Sequence, residues 1–126
     1  MSAKRIVITG GSDGIGLAIG AAFAASGSAL FIVARDSKKL RSVQEKMQAN
    51  GNEVEVVAAD LSDLQGVRKA SEAILGTWSE LDVLINNAGI GRFVPFDKTT
   101  EDVLDLHLNL NVRAPFLLTQ ALFNAI

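Results

Sequence analysis

A glycine-rich turn lies between an apolar run and a helical run near the start of the chain, and it constrains the fold more than any other feature. The run Arg5–Thr9 (RIVIT) predicts a short buried strand, and Ile15–Ala25 (IGLAIGAAFAA) predicts a helix that packs closely on a sheet. Such a turn lets bare backbone approach a pyrophosphate, and the helix N-terminus adds free N–H groups and the positive end of its dipole. We therefore expect a nucleotide to bind here, at Gly10, Ser12, Asp13, Gly14, Ile15 and Gly16.

The spacing of the glycines narrows the kind of nucleotide. A P-loop requires Gly-x-x-x-x-Gly-Lys-Ser/Thr, but Leu17 follows Gly16 and the next lysine is Lys38. The common dinucleotide fingerprint is Gly-x-Gly-x-x-Gly. Residues 9–16 instead read Thr-Gly-x-x-x-Gly-Ile-Gly. This pattern resembles that of the short-chain dehydrogenase/reductase family.

Apolar runs alternate with helical patterns along the whole chain, which predicts βαβ units and a parallel sheet. The predicted strands cover residues 4–9, 29–34, 53–58 and 82–86. The predicted helices cover residues 14–26 and 38–50, a segment that begins after residue 62 or 63, and a region from about residue 99 to the chain end. Right-handed crossovers then give strand order 3-2-1-4, with the ligand at the carboxyl ends of the strands. The predicted fold class is α/β, a Rossmann-type doubly wound parallel sheet in a truncated three-layer arrangement, with residues 1–126 forming one partial dinucleotide-binding domain.

Turn and capping residues support these helix bounds. Gly27 and Gly51 are expected to end the first and second helices, because glycine readily adopts the left-handed conformation after a helix. Ser37 is expected to cap the second helix, and Ser62 or Asp63 the third. The third helix is expected to bury Val67, Ala70, Ile74 and Leu75.

Composition excludes several classes of function. The chain has 126 residues, a net charge of −2 and mixed signs along its length, so it has no electrostatic footprint for DNA or RNA. It has no cysteine, which excludes a disulfide scaffold and a cysteine-based metal site, and we expect no metal. No apolar run approaches the roughly 20 residues of a membrane span. The first strand begins almost at the N-terminus and leaves no room for a signal peptide, so we expect a cytoplasmic protein without a membrane partner.

Two short segments follow the third and fourth predicted strands. Asp60 and Leu61 stand at the end of the third, where a carboxylate can accept a hydrogen bond from an adenine amino group or simply begin the next helix. The fourth ends in Asn-Asn-Ala-Gly (residues 86–89), which by itself is an ordinary turn composition. Amide side chains there can tie neighbouring strand ends together. The family resemblance implies that Asn87, Ala88 and Gly89 lie beside the cofactor ribose.

Arg35 follows the second predicted strand, 19 positions after Gly16, and bears on the choice of cofactor. An acidic residue there would bind the ribose 2′-hydroxyl of NAD, whereas an arginine accommodates the 2′-phosphate of NADP with paired donors. Asp36 beside it, and Asp13 where NADP-preferring relatives often carry a basic residue, oppose this interpretation. A solvated arginine is the alternative. The balance favours NADP(H) over NAD(H).

Asn111 lies in the last helical region, in the sequence Leu-Asn-Val. The catalytic group of the family is an Asn, a Ser, a Tyr and a Lys, and the resemblance implies that Asn111 is that asparagine, at a local distortion of the helix. An exposed helical asparagine is the alternative. His107 and Trp78 suggest no role in the site: the histidine is expected to be exposed or partly buried, and the tryptophan to pack in the core or at its rim.

The other members of that catalytic group are missing. The chain contains no tyrosine, and no lysine follows Lys98. Because hydride transfer to a carbonyl needs a proton donor, we expect this chain not to catalyse alone. The resemblance implies the cofactor-binding part of an NAD(P)(H)-dependent oxidoreductase that interconverts an alcohol and a carbonyl on a small substrate. The alternative is a non-catalytic dinucleotide-binding or self-associating module. The apolar segment 112–126 favours a homo-oligomer, or partial disorder after about residue 90.

Overall fold

The computed structural model describes residues 3–126 as strands that alternate with helices, and the predicted architecture is confirmed. The sheet has four strands in the order β3-β2-β1-β4, and every neighbouring pair is parallel. The elements are β1 (Arg5–Thr9), α1 (Gly14–Ala25), β2 (Ala29–Ala34), α2 (Ser37–Ala49), β3 (Val54–Ala58), α3 (Leu64–Thr77), β4 (Val83–Ile85), α4 (Glu101–Leu108) and α5 (Ala114–Leu122). A π-helical turn, Asn109–Arg113, joins α4 to α5, and short 3₁₀ turns lie at Phe96–Lys98 and Phe123–Ala125.

Both faces of the sheet are covered, because alternate residues of the two central strands enter different apolar cores. In β1, Ile6 and Ile8 are fully buried in the core that contains Leu40 of α2. Val7, between them, is buried in the opposite core with Ile74 of α3 and with α5. Strands buried on both faces read as continuous apolar runs, which explains why β1 and β2 were predicted within one residue.

The structure corrects two helix assignments. Ser37 does not cap α2: the Oδ1 atom of Asp36 accepts hydrogen bonds from the backbone N–H groups of Lys38 (3.0 Å) and Lys39 (3.2 Å), so Ser37 is the first helical residue. Leu75 does not face inward but is 44% exposed. The buried stripe of α3 ends at Ile74, and the next residue is rotated by about 100° from that stripe. For α3, the alternative that Asp63 is the cap is confirmed, since its side chain accepts from the backbone of Gln65.

Strand ends are shorter than predicted, most of all in β4, which keeps three of its five predicted residues. β4 is an edge strand that pairs only with β1, at positions Ile6 to Ile8, and beyond this ladder the Asp82 N–H donates to the Arg5 carbonyl. The helix ends agree with the turn chemistry: Gly27 (φ +85°) and Gly51 (φ +86°) follow α1 and α2 in the left-handed conformation.

The C-terminal helical region buries one side only. Ala114, Leu118 and Leu122 of α5 pack on the sheet, whereas Val112 and Phe116 are more than half exposed. Among residues 3–126 no helix combines the length and apolar character that a membrane span requires.

Candidate functional site

A cavity of about 500 Å³ lies at the carboxyl ends of the strands, where the predicted fold places a ligand. It is bounded by the β1–α1 turn, the ends of β2 and β3, and the loop after β4. Of the predicted site residues, those that line it are Gly10, Ser12, Asp13, Arg35, Asp60, Leu61, Asn87, Ala88 and Gly89. Gly14, Ile15, Gly16 and Asn111 lie outside the lining. The cavity therefore brings together predicted residues from four separate segments of the chain.

The glycine-rich turn holds α1 close to the strand ends. Gly10 has φ +66°, and its N–H donates to the carbonyl oxygen of Val33 at 2.7 Å. A Cβ atom on Gly16 would stand closer than 3.0 Å to both the Gly10 carbonyl oxygen and the Asn87 amide nitrogen. Only glycine allows α1 to begin this near to the turn.

The first turn of α1 begins beside the cavity lining and contains unpaired backbone donors. Asp13 caps the helix, with Oδ1 accepting from the Gly14 N–H at 2.8 Å, and the Leu17 N–H donates to the Asp13 carbonyl. Within the described chain, the N–H groups of Ile15 and Gly16 have no protein acceptor. Such unpaired donors at a helix N-terminus suit a phosphate.

Thr9 connects the glycine-rich turn to the loop after β4. Its Oγ1 accepts hydrogen bonds from the N–H groups of both Asn87 and Ala88, each at 3.0 Å. The Asn87 side chain in turn donates from Nδ2 to the Gly10 carbonyl oxygen at 3.1 Å. The predicted tie between strand ends is thus present through Asn87. The threonine hydroxyl was missed, although its place directly before the first glycine could have suggested it.

Charges of both signs surround the cavity, and each carboxylate is held by a partner. Lys39 Nζ lies 2.9 Å from Asp13 Oδ2, and this hydrogen bond with the ammonium, together with the one from the Gly14 N–H, lowers the pKa of Asp13. Lys39 was not predicted as a site residue, although a basic residue in the first turn after Arg35 was a signal for one. Arg35 forms no ion pair within 4.0 Å in the described part of the chain.

Asp60, at the end of β3, is held by Ser62. Its Oδ1 accepts from the Ser62 hydroxyl at 2.6 Å and from the Ser62 N–H at 3.0 Å. The hydroxyl bond is the main cause that lowers the pKa of Asp60, with smaller contributions from the backbone bond and from the charge of Arg35, against the opposing effect of burial. The carboxylate is therefore ionised at neutral pH and keeps Oδ2 as an acceptor.

Asn111 lies in the π-helical turn and forms two hydrogen bonds with the loop after β4. Its Oδ1 accepts from the Ile90 N–H and its Nδ2 donates to the Ile90 carbonyl, both at 2.8 Å. The helix distortion that the resemblance implied is the turn Asn109–Arg113. π-helical turns are frequent at functional sites because they re-aim side chains.

His107 holds the same loop two residues further on. Its Nε2 accepts from the Arg92 N–H at 2.9 Å, and its Nδ1 donates to the carbonyl of Val103 at 2.7 Å. It is half-buried, as predicted. Its loop contact was not foreseen, since nothing in the sequence pairs residues 15 positions apart. The described residues contain no group of three or more His, Cys, Asp or Glu side chains that could hold a metal.

Comparisons with known proteins agree with this geometry. The family model described as short chain dehydrogenase matches residues 4–126, and the chain belongs to that family. It is 34% identical over 125 residues to a sepiapterin reductase of Chlorobaculum tepidum, covering 94% of this chain and 51% of that protein. It is 32% identical to a gluconate 5-dehydrogenase of Gluconobacter oxydans, covering 96% of this chain and 47% of that protein.

Solved structures match the fold over nearly the whole chain. The L-sorbose reductase of Gluconobacter frateurii, complexed with NADPH and L-sorbose, superposes with a TM-score of 0.94 at 32% identity, covering 99% of this chain and 48% of that one. A short chain dehydrogenase of Burkholderia cenocepacia in complex with NADP gives 0.91 at 36% identity, covering 98% and 51%. The chain thus spans about half the length of these relatives.

Proposed function

We propose that this chain is the cofactor-binding part of an NADP(H)-dependent short-chain oxidoreductase that interconverts an alcohol and a carbonyl. The observation that carries the proposal is the cavity at the strand ends, which joins a glycine-rich turn to an arginine that forms no ion pair within 4.0 Å among residues 3–126. The cofactor supplies or accepts the hydride when it is bound. Structures of relatives in complex with NADPH or NADP support this choice of cofactor.

The glycine-rich turn between β1 and α1, together with the first helical turn of α1, fits a pyrophosphate. The left-handed Gly10 and the glycine at position 16 keep side chains out of the space between the turn and the helix. The free N–H groups of Ile15 and Gly16 supply donors at the positive end of the helix dipole.

Arg35 favours a cofactor that carries a 2′-phosphate over one that has a free 2′-hydroxyl. The carboxylates that opposed this interpretation are both engaged: Asp36 accepts from two backbone N–H groups of α2, and Asp13 is paired with Lys39. Their negative charge is therefore partly compensated, whereas the guanidinium of Arg35 is available for an anion. Asp60 keeps one carboxylate oxygen that an adenine amino group can reach from within the cavity.

The loop residues have a positioning role in this proposal. The Asn87–Gly89 segment is anchored to Thr9 and Gly10 on one side, and Asn111 holds Ile90 on the other. The loop is thereby fixed at both ends of its contact with the cavity. Binding then requires little ordering of backbone, which keeps the entropic cost of association low.

We further propose that this chain binds cofactor without turning over substrate. It contains no tyrosine, and both ring nitrogens of its one histidine are occupied by backbone hydrogen bonds. A carbonyl reduced by hydride needs a proton donor, and the described residues that line the cavity include no tyrosine, histidine or cysteine. In this proposal, binding and turnover of a small-molecule substrate require a protein of the length that the relatives have.

Titration with NADPH and NADH tests the proposal. We expect NADPH to bind more tightly, and Arg35→Asp to weaken NADPH roughly 10- to 100-fold, since a hydrogen bond to a charged group contributes about 1.5–3 kcal/mol. Arg41→Asp is the matched control, because Arg41 is exposed on α2 and does not line the cavity. Equal affinity for the two cofactors, or no binding of either, would contradict the proposal.

A second candidate function, self-association, is favoured by the apolar side chains that the fold leaves in solvent. Phe93 and Phe96 are essentially fully exposed, and Phe116 and Phe123 are about two-thirds exposed. Contiguous exposed apolar surface marks interaction sites on globular proteins. Sedimentation velocity over a range of concentrations tests it, and a monomer at every concentration would exclude a homo-oligomer.

A further inference from the structure

An ion pair between the starts of two helices stands at the edge of the cavity. Lys39 is in the first turn of α2 and Asp13 is the cap of α1, 26 positions earlier. Both line the cavity together with Arg35. Their side chains are 55% and 74% exposed, so an incoming ligand can reach both.

The ammonium of Lys39 can form hydrogen bonds in addition to the one with Asp13. An ammonium carries three N–H donors, and within residues 3–126 one of those of Lys39 is used, by Asp13 Oδ2. The other carboxylate oxygen of Asp13 already accepts from the Gly14 N–H, so Asp13 is fixed to the start of α1 whether or not Lys39 contacts it. The hydrogen bond to Asp13 also raises the pKa of Lys39, which keeps the ammonium charged.

Two of the backbone donors in the first turn of α2 are already used. The N–H groups of Lys38 and Lys39 both donate to Asp36 Oδ1. These two donors are therefore not available to an anion beside Arg35, so a side-chain cation adds to what the backbone of this turn can offer. Lys39 is the second cation among the residues that line the cavity.

We propose that Lys39 is a second ligand for the 2′-phosphate of NADP(H), and that Asp13 positions its ammonium beside Arg35. The inference rests on the proposed function and adds a specificity-determining residue to it. It also gives a reason for an acidic residue at position 13 in an NADP(H) site. The carboxylate brings a cation to the phosphate, and it is neutralised by that cation.

Affinities of the chain for NADPH and NADH, measured by calorimetric titration, test the proposal without turnover. We expect Lys39→Met to weaken NADPH binding about three- to fivefold, which is the upper part of the range for an exposed charge pair, and to change NADH binding less than about 1.5-fold. Lys38→Met is the matched control, because this lysine carries the same charge on the same turn but does not line the cavity. The control should alter the ratio of the two affinities less than about 1.5-fold.

Each outcome separates the inference from the proposed function. If the unmodified chain binds neither dinucleotide, or binds both equally, the proposed function fails. If it prefers NADPH and Lys39→Met leaves that preference unchanged, or lowers it no more than Lys38→Met does, only the role of Lys39 is refuted.

The positioning role of Asp13 has its own test. In an Asp13→Asn background the ammonium is no longer held beside Arg35, so Lys39→Met should change the NADPH-to-NADH ratio less than about twofold. An effect as large as in the unmodified chain would show that Asp13 does not position Lys39.

Discussion

Replacing Gly16 by alanine perturbs the contact on which the whole site depends. Gly16 is buried, and an added Cβ would stand closer than 3.0 Å to the carbonyl oxygen of Gly10 and to Nδ2 of Asn87. The first is a backbone atom, and the second is hydrogen-bonded to that same oxygen. Neither can move without displacing the turn or the loop after β4.

Two opposing terms set the magnitude. Alanine is favoured over glycine in a helix by about 1 kcal/mol. Overpacking a tight site costs about 1–3 kcal/mol, and a backbone neighbour places the cost near the upper end. The variant should therefore lose about 2 kcal/mol in free energy of unfolding, which corresponds to about 6–10 °C in Tm for a domain of this size.

Gly76→Ala is the matched control. Gly76 lies near the end of α3, and a Cβ there has no neighbour within 4 Å. Only the propensity term applies, so this variant should gain about 0.5–1 kcal/mol. Urea unfolding followed by far-ultraviolet circular dichroism measures both changes, and titration with NADPH should show weakened binding for Gly16→Ala alone. A Gly16→Ala chain as stable as Gly76→Ala, with unchanged affinity for NADPH, would refute this explanation of the close approach.

Three further changes test other contacts. Asn111→Ala removes both hydrogen bonds to the loop after β4, so hydrogen exchange should become faster in residues 89–93 while α5 keeps its protection. Leu118→Ala, at a fully buried position, should cost about 2–5 kcal/mol in a urea titration, and a cost below 1 kcal/mol would contradict the assigned core. Ser62→Ala should raise the pKa of Asp60 toward the ordinary 3.8, as measured by an NMR titration of its carboxyl carbon. Because the pKa is lowered in the folded chain, Asp60 stabilises the fold above pH 3.8 and loses that effect as the pH falls through the lowered value; the variant should show a smaller loss.

Local chemistry made the strands and the glycine-rich turn predictable. The runs of β1 and β2 are apolar throughout because both of their faces are buried, and few other structures bury such a run. The left-handed glycines mark the turn and the helix ends directly in the sequence. Asp36 and Ser37 are neighbours, and both are residue types that cap helices. Composition therefore does not decide which of them caps α2; the geometry at the end of the preceding strand does.

Contacts between distant segments were not predictable. The pairing of Lys39 with Asp13 and of His107 with the Arg92 N–H depends on how two helices and a loop meet, and neither leaves a local pattern. Asn111 was placed by the family resemblance and not by its own surroundings. Its two hydrogen bonds to Ile90 follow from the π-helical turn, and helical periodicity in the sequence does not predict that turn.

The three helices that begin at the ligand edge of the sheet are all capped by aspartate: Asp13 for α1, Asp36 for α2 and Asp63 for α3. Each carboxylate lies against the positive end of its own helix and offsets much of that partial charge. Lys39 is paired with Asp13, so among the described residues that line the cavity Arg35 is the cation whose charge no ion pair within 4.0 Å balances. Long-range attraction of a phosphate to this edge, and its weakening as salt is added, then depend mainly on that one side chain and not on the helix starts. A relative with the same fold and another residue at position 35 would attract its cofactor with a different strength and a different dependence on salt.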